Sequence, residues 1–536
     1  MKVDKVYNLS GAPMKRFGIA LMASVGMISL AHAADLPTKK AVEAAPAKPN
    51  CWASVWDWLN TSAADCPLSY AGFTFYGTVD VGYGYQDWGV QRSPTADKVN
   101  YGIQKNGYEH VWTATYAGLS SNVLGVKMKQ DLAPLGLTGW SLIGTMEAGF
   151  NPYSGMFLDP PQSVASNNVN ASNGIITING KKYYGFYQTA NFDSSRNGTW
   201  WNSQAFVGLS NKTYGSLTFG RTNTLATDLV SAYDPFGAAT AFSLLGFSNS
   251  FAGFGDTETI RPNTAFTYKG TYQNFRGAAQ IQVGGYGVGN GSTAQYQGSL
   301  GGDFGPFSVD GVVSWAENAV SLSGFNGGNL AEVPKTNQWF IKVNNAYYDP
   351  NSVLKATLSN NFGLGIGLKY KWNQLTFSGG YLYADLMNPS DDYLTGFKTI
   401  SSGIFVPPGY FSKTKNGYVY VNDAITVNQY NNHKKNNTFW GGVKWSARSD
   451  LDFITGILYQ SQNNFNTTYC TGYGINISSS KCSGGQSGAS FMVDWRPVKR
   501  MDVYAGVMVT NVYGGLANGF LHSQNYDPTA GIRFKF

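Results

Sequence analysis

The amino-acid sequence predicts an all-β fold, a 16-stranded antiparallel β-barrel closed in a membrane. Three observations lead there: an aromatic- and glycine-rich composition, a period of two that recurs in sixteen segments, and connections that alternate between short and long. Gly 65, Tyr 34, Phe 32 and Trp 14 stand beside only 13% charged residues, a mixture that suits pleated strands and turns and is poor in the residues of helical proteins. The length of 536 residues does not by itself set a domain count, because long all-β barrels form single domains.

The first element, residues 1–33, reads as an export signal. Lys15 and Arg16 make a basic start, residues 17–30 an apolar stretch, and Ala31-His32-Ala33 a small-x-small site, so cleavage is expected between Ala33 and Ala34. The apolar stretch is too short to cross a bilayer comfortably as a helix. Removing it takes away Lys2, Lys5, Lys15 and Arg16 against Asp4, leaving 34 basic and 30 acidic side chains and a net charge of +4. So mild a balance argues against a nucleic-acid binder. Residues 34–71 follow as a periplasmic segment. Its Pro/Ala/Lys-rich start, 34–50, is a linker, and Trp52, Val55, Trp56 and Leu59 then share one face of a short helix between Cys51 and Cys66. The four cysteines, Cys51, Cys66, Cys470 and Cys482, form two local pairs if neighbours join, although three connectivities exist.

From residue 72 to 536 the period is two. In "GFTFYGTVDVGYGYQ", Phe73, Phe75, Val79, Val81, Tyr83 and Tyr85 share one face with Gly77, and Thr74, Thr78, Asp80 and Gln86 share the other. The pattern recurs at 123–132, 139–150, 203–211, 215–221, 263–270, 275–285, 295–304, 306–316, 361–372, 375–384, 438–447, 450–462, 488–497, 500–512 and the terminal segment. Connections after even-numbered strands are short ("NKTY", "TYQN", "NQ", "RS", "VKR"). Those after odd-numbered strands are mostly long: 87–122, 151–202, 222–262, 317–360, 385–437 and 463–487. This is the asymmetry of a membrane barrel with trimmed periplasmic turns and elaborated external loops. The chain ends "YDPTAGIRFKF", with Ile532, Phe534 and Phe536 alternating with Arg533 and Lys535, as expected of a last strand that pairs with the first and presents aromatics to the membrane interface.

Catalysis finds no support. His110, His433 and His522 fall in expected external loops without an informative serine, and "GGYGVGNG" at 284–291 is a turn between strands rather than a nucleotide loop. The cysteine spacings suit no metal site, and no cofactor is implied.

In these motifs, and in "CWASVWDWLNTSAADCPL", "YGTVDVGYGY", "GSLTFGRTNTL", "AYDPFG", "NPSDDY", "VYAGV", "GGLANGFLH" and "GIRFKF", the chain resembles Gram-negative outer-membrane porins, most closely the α-proteobacterial type of trimeric 16-stranded general porin. The resemblance implies an outer-membrane channel for passive diffusion of small hydrophilic solutes and ions, narrowed by an inward-folded third loop. It also implies a homotrimer, contacts with outer-membrane lipid and lipopolysaccharide, and the barrel-assembly machinery as a folding partner. On this reading Asp228, Asp234, Asp256 and Glu258 of the third loop face a basic wall of Arg221, Arg261, Lys127 and Lys129. "NVLGVK" stands where the family often has a further arginine. Strict alternation from Leu217 and Phe219 points Arg221 at lipid, which costs about 2–4 kcal/mol near the midplane, so a bulge at Gly220 or a strand end is required. Lys369, Lys371, Lys444 and Arg496 share inward parity. The alternatives are a channel selective for sugars or anions and a structural or adhesion barrel with a plugged lumen.

Overall fold

The computed structural model describes residues 51–86, 111–157, 200–245, 260–323, 355–390, 432–465, 469–517 and 523–536, apart from 52, 156, 244, 289, 291 and 480. It also gives the backbone of short strands at Ile175–Ile178, Lys181–Tyr184, Thr189–Ala190, Ile341–Val343, Ala346–Tyr348, Ile400–Phe405 and Tyr418–Ile425. The expected export signal and linker lie outside the described residues.

Sixteen strands form the closed wall. They are β1 (Phe73–Gln86), β2 (Val123–Asp131), β3 (Trp140–Gly149), β4 (Gln204–Asn211), β5 (Gly215–Arg221), β6 (Ala265–Tyr272), β7 (Phe275–Gln282) and β8 (Ala294–Phe304), continued by β9 (Phe307–Ser323), β10 (Lys355–Trp372), β11 (Leu375–Met387), β12 (Lys434–Arg448), β13 (Leu451–Gln462), β14 (Gly484–Val498), β15 (Met501–Gly514) and β16 (Gln524–Lys535). Each pairs antiparallel with the next, and β16 returns to β1 in the register Thr78↔Lys535 through Gly84↔Thr529. At the seam Gly77 and Phe536 exchange backbone hydrogen bonds of 3.0 and 3.1 Å. A side chain at 77 would collide with the Phe536 ring, whose Cζ lies 2.4 Å from the position of a Cβ, so glycine is required there. Beyond the chain end, Leu68–Tyr70 pairs with Phe73–Phe75 on the edge that β16 has left, through a two-residue turn at Ala71 (φ 49°) and Gly72 (φ 81°).

The two faces of the wall are inverted relative to a soluble protein. Leu217, Phe219, Leu364, Ile366, Leu368, Phe491, Val509 and Ile532 are exposed on the outside, whereas Gln280, Gln297, Thr438, Gln460, Gln486 and Thr510 are buried on the inside. Burying polar side chains and exposing apolar ones is stable only where the outer medium is hydrocarbon. At the short-turn end outward aromatics meet in pairs, Trp140 with Tyr214, Phe275 with Phe304, Trp445 with Phe453 and Phe534 with Phe536, which forms an interfacial band.

Three expectations are corrected. Residues 87–122 are not wholly a loop, because Val111–Tyr116 pairs with Val81–Gln86 and prolongs the wall beside β1. Residues 317–360 likewise contribute the ends of β9 and β10. A register shift between Ala316 and Ala319 breaks the alternation there while the ladder goes on. The face chosen for the stapled helix, α1 (Val55–Asn60), is also different. Val55 and Trp56 are 75% and 67% exposed, and Trp58 makes the docking contact. Ser54 caps α1 by accepting from Asp57 N, and the Cys51–Cys66 disulfide closes the segment. Arg500, wholly buried in the β14–β15 turn, donates to Trp58 O (2.7 Å) and Cys66 O (2.8 Å) and lies over the Trp58 ring. The second disulfide joins Cys470 and Cys482.

Arg500→Ala removes both of these bonds and should weaken docking of α1 by roughly 2–4 kcal/mol while the barrel still closes. Limited proteolysis should then cut within 51–70, with the heat-modifiable electrophoretic shift of the barrel retained.

Candidate channel and the loop that enters it

The third loop begins where β5 must stop. Gly220 has φ +135°, and a Cβ there would lie 2.3 Å from Ala205 O, so only glycine fits. The ladder runs on without a slip to Arg221↔Ala205, so the required device is a strand end at a left-handed glycine rather than a bulge. The chain then forms α2 (Leu225–Tyr233). Thr224 caps it by accepting from Thr227 N, and Gln297 Oε1 on β8 accepts from Leu225 N (2.6 Å) and Ala226 N (3.3 Å). The helix N-terminus is therefore satisfied by the wall itself.

One side of α2 is apolar. Leu225, Leu229, Val230 and Tyr233 pack with Val312, Leu382, Leu386, Trp440 and Leu458 of the wall, and Trp440 Nε1 donates to Tyr233 O at 3.0 Å. Wall glycines make this approach possible. A Cβ at Gly367 would lie 2.4 Å from the Tyr233 ring, one at Gly442 2.7 Å from Pro235, one at Gly456 2.8 Å from Phe236 and one at Gly506 2.8 Å from Phe242. The loop thus lies along the inner wall of the later strands. Ser231 and Ala232 are exposed on its other side, and a cavity of about 610 Å³ lies beside it, bordered by Ser210, Asp228, Lys269, Arg276 and Asp310.

The structure separates the expected site residues. Arg221 and Arg261 are 2% and 7% exposed. Arg221 donates to Asn202 O, Arg261 O and Asn263 Oδ1, and Arg261 Nε donates to Asn223 Oδ1, so both guanidinium groups tie together the two ends of the loop instead of lining an open wall. Asp234 is turned away as well. It accepts from Phe236 N and Ala238 N where the loop bends after α2, and burial pushes its carboxyl above the usual range. Asp228 does meet a basic partner, Lys269 of β6, at 2.5 Å. Lys127 and Lys129 are exposed on β2, Lys127 with its ammonium 4.4 Å from the Tyr76 ring centroid. Asp256 and Glu258 lie outside the described residues, as do His110 and His522. His433 stands 3.0 Å from Asp385.

Sequence reasoning missed a highly connected charge of the lumen. Arg276 holds Asp310 through Nε (2.8 Å), Asp303 through Nη1 (2.5 Å) and the Tyr233 hydroxyl through Nη2 (3.0 Å), while that hydroxyl donates to Asp310. Its inward parity with Gln280 and Gln282 was the available signal. A second network, Asp452 and Asp494 with Arg496, and Asp502 with Arg533 and Lys535, braces the short-turn end of the inner wall.

A model of the Gram-negative porin family matches residues 26–400, more than half of the chain. The chain belongs to the Gram-negative porin family. No curated protein matches this porin. Among solved structures it is similar to OmpT of Vibrio cholerae with loop L8 deleted, at 12% identity over 87% of this chain and 99% of that one with a TM-score of 0.45. DcaP of Acinetobacter baumannii gives 11% identity over 87% and 99% with a TM-score of 0.42, and OmpF of Salmonella typhi 13% over 87% and 97% with 0.41.

In this porin the loop depends on the wall glycines. Gly367→Val is expected to lower stability by about 1–3 kcal/mol through overpacking against Tyr233. It should also open 225–245 to protease, read by heat-denaturation midpoint and by fragment mapping.

Proposed function

We propose that the porin is a water-filled channel for passive diffusion of small hydrophilic solutes and ions, with the third loop as its constriction. The observation that carries this reading is the placement of α2, whose apolar side is spent on the wall while its exposed side borders open lumen. Asp228 on the loop is paired with Lys269 of the wall, and on this reading the exposed Lys127 and Lys129 of β2 supply the basic side of the gap. Opposed charges in a narrow polar gap set up a transverse field that favours ions and dipolar solutes over apolar ones. Export through a cleaved signal spanning 1–33 and a stapled periplasmic segment at 34–71, both read from the sequence, and assembly as a homotrimer, contact with lipopolysaccharide and folding by the barrel-assembly machinery, which rest on the family resemblance, complete the proposal. A second reading, a preference for anions, is favoured by Lys369, Lys371 and Lys444, which share inward parity on the neighbouring strands β10 and β12, Lys371 and Lys444 both in register with Thr376 of β11 between them.

Single-channel conductance of the refolded protein in a planar bilayer, with the reversal potential under a salt gradient, tests both readings. Stepwise ohmic openings are expected. Lys127→Glu with Lys129→Glu should move the reversal potential towards cation preference, and Lys371→Glu should do so more strongly if the anion reading holds. A silent bilayer from a heat-modifiable barrel would replace the diffusion reading with that of a plugged structural barrel.

A further inference from the structure

The middle of the third loop, Phe236–Phe242, meets a short excursion of the wall that is built around one buried carboxylate. Asp80 of β1 is fully buried, with its carboxylate on the inner face. Beside it residues 117–122 leave the wall, between the part of β1 paired with β2 and the part paired with Val111–Tyr116. Asp80 organises this excursion. Its backbone carbonyl accepts from Ala117 N, its Oδ2 accepts from Leu119 N (2.7 Å) and Ser120 N (3.0 Å), and its N–H donates to Asn122 Oδ1. The other oxygen, Oδ1, accepts from the Tyr504 hydroxyl of β15 at 2.6 Å.

Tyr504 is held in a socket of glycines. A Cβ at Gly118 or Gly531 would lie 2.2 or 2.3 Å from its hydroxyl oxygen, and one at Gly82 3.1 Å away. The excursion in turn grips the loop. Gly118 O accepts from Ala241 N (3.0 Å), Leu119 packs with Phe236, Ala239 and Phe242, and the Phe242 ring meets the Tyr504 ring edge-on at 5.9 Å.

We propose that Asp80 and Tyr504 are positioning residues that latch the segment of the third loop after α2, Phe236–Phe242, and so set how far it narrows the channel. The proposal rests on the diffusion-channel reading. Arg221 and Arg261 fix the loop's ends at β5 and β6, and the Asp80 latch fixes its crossing near β15 and β1. Without it the excursion that carries Gly118 O, the acceptor for Ala241 N, and Leu119 is no longer held in place.

The test is Tyr504→Phe in the full chain, refolded and scored first for the heat-modifiable shift and then for single-channel conductance and open-channel noise. A closed barrel with raised conductance and several-fold greater noise is expected. Phe242→Ala, which loosens the same contact from the loop side, should give the same trace, and the double variant should add little to either. Tyr381→Phe deletes a comparable hydroxyl bond, to Asn437, on the outer face and serves as control. If Tyr504→Phe does not close, Phe242→Ala decides alone by the same readout. A conducting parent whose variants match it in conductance and noise overturns the latch and leaves the channel reading intact. A silent parent overturns the channel reading and the latch with it.

Discussion

No strand edge can be left unpaired in hydrocarbon, where each unsatisfied backbone group costs several kcal/mol. The whole molecule is arranged around that requirement, and β1 bears most of it. One of its edges is covered by β16, then by Phe536, then by the short strand Leu68–Tyr70; the other is covered by β2 and, past the inward excursion, by Val111–Tyr116. The terminal phenylalanine is part of this ladder, and Gly77 exists to let its ring lie across the seam.

Closure fixes the sidedness of every strand and so creates a polar interior large enough to admit a loop. What the loop meets there is not uniformly polar. Trp440, Leu382, Leu458 and Met508 are inward residues that would be misplaced in an open aqueous lumen, and they are buried in one cluster with Leu225, Leu229, Val230 and Tyr233 of α2 and with Leu245, Phe465 and Leu516 of the loops. Glycines on neighbouring strands supply the depth. The loop is therefore built as a second, inner layer of the barrel, with its apolar side on the wall and its polar side towards the remaining space.

Charge follows the same logic. Described carboxylates of the inner wall are engaged: Asp310 and Asp303 by Arg276, Asp452 and Asp494 by Arg496, Asp502 by Arg533 and Lys535, and Glu147 by the Tyr76 and Ser203 hydroxyls. The Arg276–Asp303 pair faces water and contributes modestly to stability, whereas Asp502 is buried against Arg533, where loss of either partner would leave an uncompensated charge; together the pairs set where the field of the lumen points. The Arg276 node is different in kind because it includes Tyr233 and so ties the field to the position of the loop.

The sequence by itself determined the sixteen strands, the faces of each and the two unequal ends, because a period of two is a local property and lipid enforces it on every strand. It also exposed the difficulty at Arg221, where alternation and chemistry conflict, and the strand end at Gly220 is the resolution. What it could not decide is what an inward side chain touches. Arg221 and Asp234 look alike to Lys127 and Asp228 by charge, yet Arg221 is consumed by Asn202 O, Arg261 O and Asn263 Oδ1 and Asp234 by N–H groups of the loop, while Lys127 and Asp228 stand in the lumen. The same holds for Asp80, whose partners lie about forty residues on at the excursion and more than four hundred on at Tyr504. Period and composition report on the nearest few residues, whereas the inner wall is defined by segments that return to it from far along the chain, and only the closed tertiary structure brings them there.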